Sequence, residues 1–281
     1  MRQRILIALL CGGTLALSGC GGGWRTDVAR AVDGAAADGT EEIERLMLTA
    51  APPDEAIPYF QRRMRDAPDD IAPGRGLATS LTRAGRAQEA LLAWRRVAGH
   101  PDATDDDRVS LAAALVRADD WTGAKAQLDA IPPTHATFER YRIEAMIADS
   151  LQDWAKADAF YDTAIGLTTT PASVLNNWGF SKLTRGDLGE AERLFTEAIT
   201  YDRELFTAKN NLVLARAKRR LYALPAVPAT QEEQAQLMHT AALAAIRQGD
   251  TDIGRNLLEE AIDTHPRHFE AATRALDALN A

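Results

Sequence analysis

Residues 176–200 read NNWGFSKLTRGDLGEAERLFTEAIT and contain a pattern that extends to the rest of the chain. Small residues stand at Gly179, Ala191 and Ala198, and a large apolar residue, Phe195, follows Ala191 by four positions. The dipeptide Gly186-Asp187 separates two apolar runs and is typical of a turn between helices. Because small residues let two helices approach closely and a large residue fills the space between them, this stretch predicts a packed antiparallel helix pair.

The same spacing recurs along most of the chain, and the first small residues of successive occurrences lie 34, 34, 33 and 34 positions apart. The occurrences are Ala56/Phe60, Ala90/Trp94/Val97, Ala124/Leu128/Ile131, Ala157/Tyr161/Ala164 and Ala191/Phe195/Ala198. A 34-residue period resembles the tetratricopeptide repeat (TPR), whose unit is two antiparallel helices. A plain helical bundle would not keep this spacing over five units. The sequence therefore predicts an all-α fold, a TPR α-solenoid of antiparallel helix pairs.

The repeat also predicts how the chain is divided. Five TPR-like units are expected over residues 40–204, followed by a partial unit and a proline-rich linker over 205–233. The partial unit begins in register, but Pro225 and Pro228 stand where its second helix would start, and proline removes a backbone donor there. The spacing resumes with Gly254, Leu258 and Ala261, so residues 234–281 are predicted to hold a final unit and a C-terminal capping helix.

The N-terminus predicts export. Residues 1–19 have a basic start and an apolar stretch too short to span a bilayer, as in a secretory signal peptide. They are followed by Cys20, and Leu17-Ser18-Gly19-Cys20 resembles the lipobox of bacterial lipoproteins, in which the cysteine is lipidated. The alternative is an ordinary signal peptide in which Cys20 has no role. Residues 20–39 are interpreted as a lipidated cysteine with a flexible tether, and Gly21 in place of aspartate favours an outer-membrane lipoprotein that faces the periplasm.

Composition excludes several functional classes. The chain has 281 residues, a net charge of -8 and 46% hydrophobic residues, so a large nucleic-acid footprint, which needs a basic surface, is disfavoured. No pattern for nucleophilic, phosphate-binding or metal-assisted catalysis is present. His265 and His268 could offer two imidazoles, but no third ligand is spaced to join them. We therefore expect a protein that is not an enzyme and that uses no metal or cofactor.

The repeat register instead predicts a groove for a protein partner. In TPR proteins generally, positions 2, 5, 9 and 12 of the first helix of each unit face a concave groove, and from the third unit onward these positions become apolar. The alternative is that some of these side chains are covered by the next unit or by the C-terminal helix. The predicted groove residues are Met146, Asn176, Phe180, Leu183, Asn210, Leu214, Leu243 and Ile246.

Three segments carry a closer resemblance: residues 176–179 (NNWG), 209–216 (KNNLVLAR) and 261–272, which include His268-Phe269-Glu270-Ala271-Ala272. Together with the lipobox they resemble the TadD family, the TPR lipoproteins of the tight-adherence (Flp) pilus assembly system. The resemblance implies a pilotin-like adaptor that helps an outer-membrane secretin to assemble, or that binds another pilus secretion component. A periplasmic scaffold for outer-membrane protein assembly or cell-wall enzyme localisation is the alternative. The oligomeric state is not predicted.

Overall fold

The computed structural model describes residues 39–280, and within them the secondary structure is helical, without strands. The predicted all-α fold is therefore confirmed. The helices are α1 (39–49), α2 (Pro53–Asp66), α3 (Ile71–Arg83), α4 (Ala87–Ala98), α5 (Asp105–Arg117), α6 (Trp121–Asp129), α7 (Phe138–Ser150), α8 (Trp154–Gly166), α9 (Ala172–Thr184), α10 (Leu188–Tyr201), α11 (Phe206–Lys218), α12 (Gln231–Arg247), α13 (Thr251–Thr264) and α14 (Glu270–Asn280).

Consecutive helices pack in pairs, and each pair packs on the next, as in a solenoid. A residue in the left-handed backbone conformation marks the turn within the pairs from α3 onward. Glycine fills this place at Gly85, Gly186 and Gly249, whereas Asp119 and Gln152 adopt φ of 62° and 59°. At three of these turns the next residue is an aspartate that accepts a hydrogen bond from the first turn of the second helix: Asp120, Asp153 and Asp187. The turn thus reverses the chain and caps the next helix.

A matched pair of glycine substitutions tests the importance of this turn. Gly186 has φ of +86°, and Gly189 lies two residues into α10; an added Cβ would meet nothing within 4 Å at either position. We expect Gly186→Ala to destabilise the fold by about 1 kcal/mol because left-handed backbone is strained for alanine. Gly189→Ala should stabilise it by up to about 1 kcal/mol through helix propensity. Chemical denaturation curves measure both, and shifts of the same sign would contradict the turn geometry.

The small residues of the repeat lie where two helices cross. Ala191 and Phe195 are fully buried. A Cβ on Gly179 would lie 2.7 Å from Phe195 Cε1, so the phenyl ring of α10 rests directly on the backbone of α9. Phe60 of α2 lies on Gly76 of α3 in a similar way, but these two helices belong to successive units and not to one pair. In both places the large residue of a second helix packs on the backbone of a neighbouring first helix.

The sixth unit departs from the pattern after its turn. Arg220 adopts φ of 60°, like the turn residues of the other units, but residues 221–230 then contain no helix. Pro225 and Pro228 account for this, because neither can donate a backbone hydrogen bond to continue a helix. The segment packs instead through Tyr222, which is 8% exposed and donates a hydrogen bond to Asp250. It therefore covers α11 without a second helix.

Two features concern the C-terminal part. Helix α12 begins at Gln231, inside the segment predicted as linker, because Thr230 and Glu233 form a capping box that fixes its first turn. The predicted capping helix is α14, which packs on α13 and buries Ala272 completely. The signal peptide, Cys20 and the tether up to residue 38 lie outside the described residues.

Candidate partner-binding groove

An open cavity of about 520 Å³ lies along α7, α9 and α11, near the starts of α6 and α8. This volume is within the range of about 300 to 1,000 Å³ that is typical of ligand sites. We call it the central groove. Its lining residues are Trp121, Met146, Asp149, Ser150, Trp154, Tyr161, Asn176, Asn177, Phe180, Ser181, Thr184, Thr207 and Asn211.

Asp149 provides the carboxylate of the central groove. Its Oδ1 accepts a hydrogen bond of 2.7 Å from Ser181 Oγ, and its Oδ2 accepts one of 2.8 Å from Tyr161 Oη. Burial raises the pKa of Asp149, and the two hydrogen bonds only partly oppose this effect. Burial and the neighbouring Asp149 also raise the pKa of Tyr161. Both carboxylate oxygens thus already accept a hydrogen bond, and these two hydrogen bonds join α7 to α8 and α9.

A second carboxylate, Asp158, lies beside the central groove and accepts from three donors, two on α9 and one, Arg185, directly after it. Trp178 Nε1 donates to it over 2.6 Å, Lys182 Nζ donates over 3.0 Å, and Arg185 forms an ion pair with it. Burial opposes ionisation, but these donors hold the pKa of Asp158 below its ordinary value. The Arg185 guanidinium also lies 5.5 Å from the ring centre of Trp154, a cation–π distance. The cations at this edge are therefore paired within the chain.

The structure brings three of the predicted groove residues together. Met146, Asn176 and Phe180 all line the central groove, and the side chain of Phe180 is 50% exposed. Leu183 does not: it is 4% exposed and belongs to the core cluster with Leu194. Its selection as a binding residue was wrong, because position 12 of α9 turns toward α10 and α11 rather than toward solvent. The structure thus decides between open and covered side chains residue by residue.

The other predicted residues lie in the C-terminal part and do not line the central groove. Asn210 accepts a hydrogen bond of 2.8 Å from Thr240 Oγ1, which joins α11 to α12. Leu214 packs against the core cluster of α9 to α11, and Ile246 packs against the cluster of α12 to α14. Leu243 is partly buried on α12. Because the sixth unit has no second helix, α12 packs directly on α11, and several of these positions serve helix packing.

Sequence reasoning missed two aromatic residues of the site. The groove positions of the repeat do not include Trp121 or Trp154, because each is the first residue of a second helix, in consecutive units. Both indoles line the central groove together with Ser150 at the end of α7. An aromatic residue after the turn in two neighbouring units is the signal that could have identified them.

A second cavity, of about 330 Å³, lies between α6, α7 and α8. Two ion pairs lie on its rim, with Lys125 Nζ 2.6 Å from Asp129 Oδ2 and Arg140 Nε 2.9 Å from Glu144 Oε1. Within residues 39–280, no group of three or more histidine, cysteine, aspartate or glutamate side chains is placed to hold a metal ion.

No helix between residues 39 and 280 is long and apolar enough to cross a membrane.

Comparison with known proteins gives similarity at the level of fold. No family model and no curated protein sequence matches the chain. A chain of the APC/C hetero-tetramer Cut9-Hcn1 aligns with a TM-score of 0.60 and 13% identity, over 84% of this chain and 47% of that one. A TPR protein from Parabacteroides merdae aligns with a TM-score of 0.55 and 15% identity, over 85% of this chain and 97% of that one. Human IFIT1 aligns with a TM-score of 0.60 and 14% identity, over 81% of this chain and 59% of that one.

These similarities concern the fold, and they agree with the helical architecture described above. The chain is an all-α TPR solenoid. It spans about half to three fifths of the length of the Cut9-Hcn1 and IFIT1 chains.

Proposed function

We propose that this chain is a lipid-anchored TPR adaptor of Flp pilus assembly, which binds the outer-membrane secretin or another secretion component in a pilotin-like role. It would be held at the outer membrane through Cys20 and face the periplasm. The lipobox and the resemblance to TadD-family segments support the anchor and the pilus system. The observation that carries the binding role is the central groove with its half-exposed Phe180.

Phe180 is the only exposed phenylalanine among the described residues. Phe60 and Phe195 are fully buried at helix crossings, whereas Phe180 keeps half of its surface in contact with solvent. It lies in one cavity with Trp121, Trp154 and Met146. Aromatic side chains grouped in a concave site are the residues that most often dominate binding free energy in protein interfaces. Covering this surface with a partner would bury apolar area that folding leaves exposed.

Replacing Phe180 with aspartate tests the proposal. If Phe180 is an interface anchor, we expect Phe180→Asp to weaken binding to the secretin by roughly 2 kcal/mol, about thirtyfold in Kd. Because half of the side chain is exposed, the melting temperature should change little. Copurification of the secretin with the variant, and secretin assembly in cells that carry the tight-adherence genes, measure the effect.

Tyr201→Asp is the matched control. Tyr201 is 56% exposed at the end of α10 and does not line the central groove, so this aromatic-to-aspartate change should leave secretin binding intact. Normal secretin capture by a folded Phe180→Asp variant would refute the groove assignment. Loss of an outer-membrane assembly factor or a cell-wall enzyme, with the secretin unaffected, would assign the groove to the alternative scaffold role.

The anchor is tested separately through Cys20. Cys20→Ser should prevent acyl labelling and cleavage by the lipoprotein peptidase, because the thiol is the atom that receives the lipid. Mass spectrometry of the mature N-terminus measures both changes. A wild-type protein whose mature N-terminus is an unmodified residue other than Cys20 would exclude the lipoprotein assignment.

A further inference from the structure

Among the described residues, Asp149 is the one charged side chain in the lining of the central groove, and its hydrogen-bond partners are neutral hydroxyl groups. Asp149 accepts from Ser181 and Tyr161, and Asp158 pairs with Lys182 and Arg185. Arg142, next to Met146 on the face of α7, pairs with Glu139. The described lining therefore offers no cation to an acidic residue of a partner, and a basic residue would meet only Asp149, whose two oxygens already accept hydrogen bonds. Burying such a charge is costly, whereas burying an apolar side chain is favourable.

The apolar part of the groove is compact. Trp121, Met146, Trp154 and Phe180 come from four different helices and line one opening. The same cavity contains the primary amides of Asn176 and Asn177 on α9. Asn176 Oδ1 accepts a hydrogen bond of 3.0 Å from Asn211 Nδ2, and within residues 39–280 its own Nδ2 donates none. A primary amide can pair with the peptide groups of an extended chain, which carry one donor and one acceptor each.

From these observations we propose that the central groove selects an uncharged, extended segment of a partner protein, with one large apolar side chain inserted between Trp121, Met146, Trp154 and Phe180. Asn176 and Asn177 pair with the backbone of that segment. The inference rests on the proposed function, since it specifies the chemistry of the partner that the groove binds. It excludes recognition through an acidic tail, a basic cluster or a free C-terminal carboxylate.

A phage-displayed library of random 12-residue peptides, selected on the purified full chain, tests this chemistry. Selected peptides are synthesised with blocked termini and a dye, and their Kd values are measured by fluorescence anisotropy against wild type, Phe180→Asp and Tyr201→Asp. We expect peptides that bind wild type and Tyr201→Asp equally but bind Phe180→Asp at least about tenfold more weakly. Their shared feature should be one leucine, phenylalanine or tryptophan within an uncharged stretch. Changing that residue to glutamate or lysine should weaken binding by about tenfold or more.

The outcomes separate the inference from the proposed function. Phe180-dependent peptides that require an acidic residue, a basic residue or a free C-terminal carboxylate would overturn the inference and leave the binding groove intact. A library that yields no Phe180-dependent peptide would overturn the proposed function as well. Self-association of the full chain in analytical ultracentrifugation, lost in Phe180→Asp and kept in Tyr201→Asp, would show that a second copy occupies the groove and would also overturn the inference.

Discussion

Replacing Phe195 with alanine is expected to lower the free energy of unfolding by about 3 to 5 kcal/mol, the cost of truncating a fully buried phenylalanine. The ring is 0% exposed and packs with Leu175, Leu194 and Leu212 from three helices. Its removal would leave a cavity over Gly179, which has no side chain to fill the space. Chemical denaturation followed by circular dichroism gives the change in unfolding free energy.

Leu92→Ala is the control for this prediction. Leu92 is 64% exposed on α4, so its truncation should change stability by no more than about 0.5 kcal/mol. A similar small effect from Phe195→Ala would mean that the repeat spacing does not position a packing residue at 195, and it would contradict the helix crossing described above.

The second large effect is expected at the contact between α11 and α12. Lys209 is buried, with its side chain 1% exposed, and its Nζ lies 3.0 Å from Glu233 Oε2. Removing one partner of a buried ion pair leaves an uncompensated charge and typically costs about 3 to 5 kcal/mol. Glu233→Ala also removes the capping box of α12. We expect Glu233→Ala to lose this much stability. The loss should be concentrated in α11 to α14, because a solenoid unit contacts only its neighbours.

Hydrogen exchange measured by mass spectrometry resolves where this loss occurs. Amides of α12 and α13 should exchange faster in Glu233→Ala, while those of α9 and α10 should keep their protection. Lys209→Met is the control, because it replaces the buried cation with an apolar side chain. The carboxylate that then lacks a partner, Glu233, is 18% exposed and so less deeply buried than Lys209. Lys209→Met should therefore lower the free energy of unfolding by less than Glu233→Ala does. A larger loss in Lys209→Met would contradict this explanation.

The same pair predicts a pH dependence. Burial opposes ionisation of Glu233, but hydrogen bonds from the Thr230 amide and Lys209 hold its pKa below the ordinary value. A carboxyl whose pKa is lower in the folded state stabilises the fold above its unfolded pKa, about 4.3 for glutamate. This stabilisation is lost as the pH falls through the lower folded-state pKa. The pH profile of Glu233→Ala should therefore be flatter than that of wild type below about pH 4.3.

Basic residues at the end of α11 illustrate what a sequence leaves open. The run from Arg216 to Arg220 could be a solvated face or could contact an anionic lipid or an acidic partner. In the structure Arg216 and Arg219 both pair with Glu192, and Arg220 pairs with Asp250. These acids lie on α10 and directly before α13, far along the chain from the run. The arginines therefore hold neighbouring units together.

The fold could be predicted because its information is local and repeated. Turn residues such as Gly186, helix caps such as Asp187, and the small and large residues at Gly179 and Phe195 act within one helix pair. Their effects on backbone conformation and packing are the same in each unit, so a 34-residue period determines an all-α solenoid without knowledge of distant contacts. Pro225 and Pro228 likewise determine by local sterics that the sixth unit lacks a second helix.

The binding surface depends on contacts between units, and only the tertiary structure decided it. Phe180 and Leu183 both occupy first-helix groove positions of one unit, yet Phe180 is 50% exposed and Leu183 is 4% exposed. The difference arises because neighbouring helices cover one side chain and leave the other open, and their exact placement depends on packing across several units. Trp154 joins the groove for the same reason. Periodicity assigns a residue to one face of a helix, but burial is determined by whatever packs against that face.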